Sequence, residues 1–578
     1  MDVVATAGHV DHGKSALVRA LTGRDPDRYA EEHRRGMTLD LGFAWTTLPS
    51  GREMAFVDVP GHERFVATML AGVGPVPAIL LVVAADEGWQ QQTEEHVAAL
   101  DALGAREGLI VVTKSDRADA QPVIEQVQER LAGMTLADLP AVAVSSLTGL
   151  GMTELRDALD ALADRLAAPD PSAPVRLWVD RSFTIRGAGT VVTGTLGAGS
   201  LSVGDELVVV PSGQRVTVKG LQSQERAESH LIPVSRAAVN LRGVDREAVG
   251  RGDALVTPGA WTMTAEVDVS LAVGQPRLPA ELVVHIGSAA VPARVRPLDP
   301  TVTRLRLRHA LPLHVGDRLL LRDPGSRVVT AADVVDVAPL PLTRRGAAAR
   351  LAQSLAADPS AAGAVQRRGA VRADELVAAG YDEKLAAPGE RIGEWWVDPA
   401  MPARWREAVA EHLAGLDAET ALLGIPLDEL RRRAGIPEPA LLDELVIDPR
   451  WVVADGRVRP AAVAEPELPE LAALVDRLRR DPLDAPPADE LAIAPSALAH
   501  GVRTRRLLHL GRGVYVSPLA PDHAIEVLTG LPQPFTMSEA RQALGVSRRV
   551  CVPLLEHLDA LRRTRRVDDT HRQVIGRD

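Results

Sequence analysis

Gly8-His9-Val10-Asp11-His12-Gly13-Lys14-Ser15 is a G-x-x-x-x-G-K-S loop between the β-rich run Val3-Val4-Ala5-Thr6-Ala7 and the helical pattern Ala16-Leu17-Val18-Arg19-Ala20-Leu21. Strand, loop and helix in that order form a phosphate cradle. Gly8 and Gly13 let the backbone curl so that its N–H groups converge on phosphate oxygens, and the helix N-terminus favours an anion. Lys14 is spaced to reach the β- and γ-phosphates, and Ser15 to ligate Mg²⁺.

Four further segments fit the same chemistry. Thr38 lies in a polar loop, where its hydroxyl can complete a Mg²⁺ shell. The strand Ala55-Phe56-Val57-Asp58 ends in a carboxylate that can hold a Mg²⁺-bound water, and Gly61 in the following turn can offer its N–H to a γ-phosphate. Asp116, just past the strand Val111-Val112-Thr113, can accept two hydrogen bonds from the N1–H and 2-amino group of guanine, which adenine cannot supply. Ser145, Ser146 and Leu147 close another strand, where backbone N–H groups can bind the guanine O6. Taken singly, each has a structural alternative: a loop hydroxyl, a helix cap, a turn. In order, and at the C-terminal strand ends of a doubly wound sheet, they point together to GTP with Mg²⁺.

The elements that must position these groups belong to a long chain. At 578 residues it exceeds a single core, and 46% hydrophobic with 25% charged residues is the balance of a folded protein. The longest apolar run, Ala78 to Ala85, suits a buried parallel strand and not a membrane span. The chain enters the phosphate-loop strand at once, leaving no room for a signal peptide. One cysteine, Cys551, rules out an internal disulfide framework and is expected in a core. The expected location is the cytoplasm, with no membrane association.

The net charge of −12 is uneven: the last 78 residues carry +5 and the rest −17, which places any nucleic-acid contact at the C-terminus. Only four lysines occur, and two of them, Lys14 and Lys114, fall in the nucleotide motifs, where a compact ammonium is not replaced by a guanidinium.

Together G-H-V-D-H-G-K-S, R-G-M-T at 35–38, D-V-P-G-H-E at 58–63 and Gln92-Thr93-Glu94-Glu95-His96 resemble the translational GTPases. The stretch 31–44 and the motif Thr113-Lys114-Ser115-Asp116 resemble, within that superfamily, the bacterial selenocysteine-specific elongation factors. The resemblance implies that His62 positions the hydrolytic water and that Val10 and Met37 form an apolar gate in front of it. It also implies that Thr113, shorter than the usual Asn, links more weakly to the phosphate loop and eases nucleotide exchange.

After the proline-rich linker 169–174 come short alternating runs with Gly turns, which read as all-β barrels. The resemblance assigns Asp180, Arg181 and Arg236 to the pocket for the selenocysteine of a charged tRNA: an Asp–Arg pair with a further Arg. The chemistry is sensible, because a selenol is ionised at neutral pH while a serine hydroxyl is neutral and a thiol mostly protonated. Beyond residue 343, short helices and hairpins recur every 55 to 65 residues, reading as tandem winged helices. Met537 to Arg549 reads as a helix-turn-helix with its turn at Gly545 and Ser547 capping the next helix. Arg548 and Arg549 at a helix start, with Arg562, Arg563, Arg565, Arg566 and Arg572 on a basic hairpin, are the expected contacts to an mRNA stem-loop.

The expected architecture is multidomain: an α/β P-loop GTPase domain at 1–170, β-barrels at 171–259 and 260–343, and winged helices at 344–400, 401–463, 464–520 and 521–578. The expected function is delivery of selenocysteinyl-tRNA to the ribosome with GTP hydrolysis, by a monomer that also binds an mRNA hairpin. Another translational GTPase and the GTPase subunit of a sulfate-activating enzyme remain as alternatives. A winged-helix transcription regulator is a third.

Overall fold

The computed structural model describes residues 2–26, 38, 40–61, 66–73, 76–187, 189–272, 277–326, 328–382, 387–417, 420–421, 424–445, 450–454, 456–461, 469–487 and 490–575. They form two compact units, 1–399 and 400–578.

In the first unit, six strands form one sheet: β1 (Asp2–Ala7), β2 (Gly42–Thr47), β3 (Glu53–Asp58), β4 (Ala78–Ala84), β5 (Gly108–Thr113) and β6 (Ala141–Ala143). Their order is β2-β3-β1-β4-β5-β6, all parallel except β2, which runs antiparallel to β3. All seven residues of β4 are buried, because helices cover both faces. Successive residues of β1 therefore belong to different cores. Val4 packs with Leu17, Leu21, Leu155 and Leu159 on one face, and Ala5 with Val97, Leu100 and Met69 on the other. The strand order reverses at β1, which opens a crevice at its C-terminal end, where the loop 8–15 begins.

Strands between Arg176 and Val256 form an antiparallel sheet with its own core of Val192, Leu207, Val218 and Val239. Six more, from Thr262–Leu271 to Val329–Asp336, close into a barrel. That barrel buries an ion pair: Asp268 is inaccessible, and Arg304 meets it through Nε–Oδ1 at 2.7 Å and Nη2–Oδ2 at 2.9 Å. Helices Ala347–Ala357, Ala361–Arg368 and Ala373–Ala378 and a three-stranded sheet complete this unit.

The second unit repeats helices followed by a small sheet three times. Helices Met401–Ala414, Leu427–Ala434 and Pro439–Leu445 precede the hairpin Trp451–Ala454 and Arg457–Pro460. Helices Pro469–Arg480 and Pro495–Arg503 precede the pair Leu508–His509 and Tyr515–Val516. Helices Ala520–Thr529, Met537–Ala543 and Arg548–Ala560 accompany the hairpin Thr564–Arg566 and His571–Val574. In this last module Gly545 makes the turn at φ 65°. Ser547 stands at the N-cap, but its hydroxyl makes no capping bond. The working cap lies one helix earlier, where Thr536 and Glu539 form a reciprocal capping box. Cys551 is buried among Phe535, Leu554, Leu555 and Leu558, as a core residue.

Removing one partner of a buried ion pair leaves an uncompensated charge. Asp268→Ala is therefore expected to destabilise the closed barrel by about 3–5 kcal/mol, read as a fall in the denaturant midpoint of its unfolding transition.

Candidate nucleotide and aminoacyl sites

The loop 8–15 is shaped by two positive-φ glycines. Gly8 has φ 135°, and a Cβ there would sit 2.1 Å from the Val82 carbonyl oxygen, so no other residue fits. Gly13, with φ 80°, starts the helix Lys14–Thr22. Lys14 is buried; its Nζ donates to the carbonyls of Gly8 at 3.0 Å and His9 at 2.7 Å. Burial lowers its pKa to about 8, so an approaching phosphate would meet a cation held without a full counter-charge. Gly61 lies directly against this ammonium: a Cβ on it would stand 2.6 Å from Nζ.

Behind the loop stands the helix Gln91–Leu103. Gln92 Oε1 accepts the Val10 N–H at 3.1 Å, and His96 Nδ1 accepts the Gly8 N–H at 3.0 Å. Both residues occur in a motif quoted above for its resemblance, without a role. Their i, i+4 spacing on one helical face was the available signal, but it does not tell which loop that face meets.

Three oxygens gather at the end of β3. Ser15 Oγ donates to Asp58 Oδ2 at 2.6 Å and lies 2.9 Å from Thr38 Oγ1, which is 3.4 Å from the same carboxylate oxygen. Thr6 Oγ1 donates to the other, Oδ1, at 2.8 Å. Burial pushes the Asp58 pKa up, opposed by the Ser15 bond and by Lys14. Two hydroxyls and one buried carboxylate are hard oxygen donors that suit Mg²⁺ completed by phosphate and water. Among the described residues no group of three or more His, Cys, Asp and Glu could hold a metal by itself.

A pocket of about 410 Å³ adjoins the loop, lined by Gly13, Thr113, Lys114, Asp116, Ser145, Ser146 and Leu147. The residues expected to read guanine thus share one cavity. Lys114, at φ 55°, pairs with Glu87 at 2.6 Å and Asp86 at 3.3 Å. Thr113 Oγ1 donates to the His12 carbonyl at 2.6 Å, a hydrogen bond that ties strand β5 to the phosphate loop. His62 and Met37 lie outside the described residues.

Between β2 and the antiparallel sheet lies a cleft of about 200 Å³, lined in part by Phe43, Trp45, Arg181, Phe183, Thr193 and Arg236. Asp180 stands beside it, buried. The expected pairing within it is redistributed. Asp180 is clasped by Arg236, through Nη2–Oδ1 at 2.6 Å and Nη1–Oδ2, and also accepts the Thr193 hydroxyl at 2.6 Å. Arg181 reaches instead into the nucleotide domain, to Asp40 Oδ2 at 3.2 Å and the Leu41 carbonyl. The reason is register: Asp180 and Arg181 straddle the start of a strand, where successive side chains diverge. The Arg236 guanidinium stacks on Phe43, 3.8 Å from the ring centroid.

In the last module, Arg548, Arg562, Arg565 and Arg566 are exposed. Arg572 is not: it is 6% exposed, and its Nε donates to Asp559 Oδ2 at 2.9 Å. Alternation along His571–Val574 turns it inward, so it fastens the hairpin to the preceding helix, and the expectation of an RNA contact there is corrected. Arg549 is half-buried on the Ala485 carbonyl, and Arg563 pairs with Asp522.

The family described as "Elongation factor Tu GTP binding domain" matches residues 1–165. With that match, a phosphate cradle, a three-oxygen metal corner and a guanine-sized pocket on one sheet edge define the class: a translational GTPase. The family described as "Elongation factor SelB, winged helix" matches residues 526–573. The selenocysteine-specific elongation factor of Escherichia coli is 36% identical over 463 residues, covering 75% of this chain and 73% of that protein. That of Desulfomicrobium baculatum is 40% identical over 336 residues, 55% of this chain and 53% of its own length. The crystal structure of a bacterial selenocysteine-specific elongation factor EF-Sec shares the fold over the whole of both chains, with a TM-score of 0.77 at 24% identity. The chain belongs to the family of selenocysteine-specific elongation factors, and the alternative readings are not favoured. Among the described residues no helix is long and apolar enough to cross a membrane.

Burial keeps two histidines near the loop neutral, lowering their pKa from 6.5 to about 3 for His96 and about 4 for His12. The unfolded chain binds protons there below pH 6.5 and the folded one does not. Their contribution is complete above pH 6.5 and shrinks as pH falls below it, by about 1.4 kcal/mol per pH unit for each. Urea unfolding of the nucleotide domain should therefore weaken steeply between pH 6.5 and 5, and His96→Asn should lower that slope by about 1.4 kcal/mol per pH unit.

Proposed function

We propose that this chain carries selenocysteinyl-tRNA to the ribosome in its GTP form and releases it on hydrolysis, in the cytoplasm and as a monomer, at codons marked by an mRNA hairpin. The observation that carries this reading is the charged cleft against the nucleotide domain. Arg181 and Arg236 line it, Arg236 held on Asp180 and Arg181 and Arg251 on Asp40. Guanidiniums fixed in this way suit a selenolate, and a neutral serine hydroxyl does not match them.

In the nucleotide site Lys14 and the amides of residues 11–15 hold the phosphates, those of Gly8 and Val10 being given to His96 and Gln92. Asp116 with the amides of Ser146 and Leu147 selects guanine, the Ser145 amide being given to the Leu150 carbonyl. Ser15, Thr38 and Asp58 would hold a Mg²⁺, which would supply positive charge against that developing on the transferred phosphoryl group. Gly61 meets the γ-phosphate with its N–H, and His62 orients the attacking water, with Val10 and Met37 gating its approach. The recurring helix-and-hairpin modules support winged-helix domains beginning near 344, 401, 464 and 521.

The test is competition between selenocysteinyl-tRNA and seryl-tRNA on the same tRNA body, with GTP present. The selenocysteinyl form is expected to bind at least about tenfold tighter, a margin that Arg236→Ala removes; equal binding by the unmodified protein would overturn the reading.

For the last module we propose RNA contact through Arg548, Arg562, Arg565 and Arg566. Four phosphate contacts predict that log affinity for an RNA hairpin falls with log salt at a slope of about −3.5. Arg565→Ala should flatten the slope by about one at unchanged thermal stability, whereas Arg572→Ala should lower the melting temperature.

A further inference from the structure

Arg251 joins two segments of the nucleotide domain to the backbone beside the aminoacyl cleft. It sits in the turn before the strand Ala254–Val256, and its guanidinium has three partners. Nη2 pairs with Asp40 Oδ1, Nη1 donates to Thr68 Oγ1 at 3.4 Å, and Nε donates to the backbone carbonyl of Asp180 at 2.9 Å. Asp40 lies two residues beyond Thr38, whose hydroxyl is in the metal corner with Ser15 and Asp58. Thr68 lies on the helix Val66–Val73, which follows the turn of Gly61. Asp180 carries, on its other side, the bidentate clasp to Arg236.

We infer that Arg251 is a positioning residue that couples the state of the nucleotide site to the aminoacyl cleft. The inference rests on the reading of that cleft as the selenocysteine pocket. Both segments that approach the γ-phosphate side of the nucleotide, one through Thr38 and one through Gly61, end on this one side chain. A guanidinium is planar and has five donors in fixed directions, so it can satisfy three acceptors only when all three are in register. If Thr38 leaves the metal corner, Asp40 moves with it and the fork loses an anchor. The carbonyl of Asp180 then loses its fixed donor, and the orientation of the Asp180–Arg236 pair in the cleft is no longer set. Asp40 also holds Arg181 by its second oxygen, so the same displacement alters both guanidiniums that flank the carboxylate.

The experiment uses full-length protein and measures selenocysteinyl-tRNA affinity twice, with a non-hydrolysable GTP analogue and with GDP. Arg251→Ala, Arg251→Lys, Asp40→Asn and the double variant Arg251→Ala with Asp40→Asn are compared with the unmodified chain. The ratio of the two affinities is the coupling, and by linkage the tRNA shifts the preference for GTP analogue over GDP by the same factor. Arg251→Ala and Asp40→Asn should each cut that ratio at least about fivefold, by weakening the GTP-analogue form and leaving the GDP form within about twofold. The double variant should lose no more than the worse single one, because both break the same connection, and Arg251→Lys should not restore the ratio. An unchanged ratio, an equal loss in both nucleotide states, or additive losses would overturn the inference. Selenocysteinyl against seryl preference of the unmodified protein is measured in parallel. Its absence would strike the proposed function, whereas its presence with an unchanged ratio would strike only the role of Arg251.

Discussion

The buried carboxylate of Asp58 is the point on which the rest of the nucleotide domain depends. Its two oxygens face Thr6 on β1, Ser15 on the first helix and Thr38 on the loop before β2. A carboxylate removed from water must be fully engaged or neutralised, and here burial already pushes its pKa upward. Hydroxyl donors satisfy it only in part. The arrangement therefore favours a cation, and the three segments brought to the carboxylate are those that must close around one. The same requirement explains why Thr6 donates to Asp58 and also accepts the N–H of Val59 at 3.1 Å: it locks the strand end from which the turn of Gly61 departs.

What the sequence made legible follows from the range over which each signal acts. The phosphate loop could be read because glycine spacing and a strand–helix switch are local, and its residues converge through backbone geometry alone. Asp116 and Ser145 could be read for the same reason, each sitting just past a strand end of one parallel sheet. His96 and Gln92 were present in the text but silent, since their partners Gly8 and Val10 lie more than 80 residues away. The bond from Thr113 to the His12 carbonyl depends on how closely β5 approaches the loop, which no local signal carries. In the last module Arg572 was counted with the exposed arginines. Composition cannot distinguish the two faces of a four-residue strand, and the buried one is chosen by Asp559 on the preceding helix. Similarly, the pairing of Asp180 with Arg236 and not with its neighbour needed the cross-strand register, in which Arg236 lies opposite Thr195.

The scarcity of lysine sharpens the electrostatics of the first unit. Arginine serves the clefts, where its planar fork engages carboxylates bidentately and stacks on Phe43, as Arg236 does. Lysine is kept at Lys14, where a compact ammonium fits between two carbonyls and Gly61, and at Lys114, which points at two acidic residues. A guanidinium at position 14 would not fit the space that excludes even a Cβ on Gly61.

The two kinds of charge divide the labour between the sites. Lys14 is buried without a full counter-charge, so the phosphate loop gains most when an anion arrives. The arginines of the cleft are instead oriented by Asp40 and Asp180. What an incoming anion meets there is governed by how firmly those carboxylates hold the guanidiniums in place. One of them, Asp40, is two residues from a hydroxyl of the metal corner, so the order of the cleft follows the occupancy of the nucleotide site. A cleft whose arginines were oriented without reference to the nucleotide would bind anions in every state; one whose arginines are oriented by a movable carboxylate can be selective for state as well as for charge.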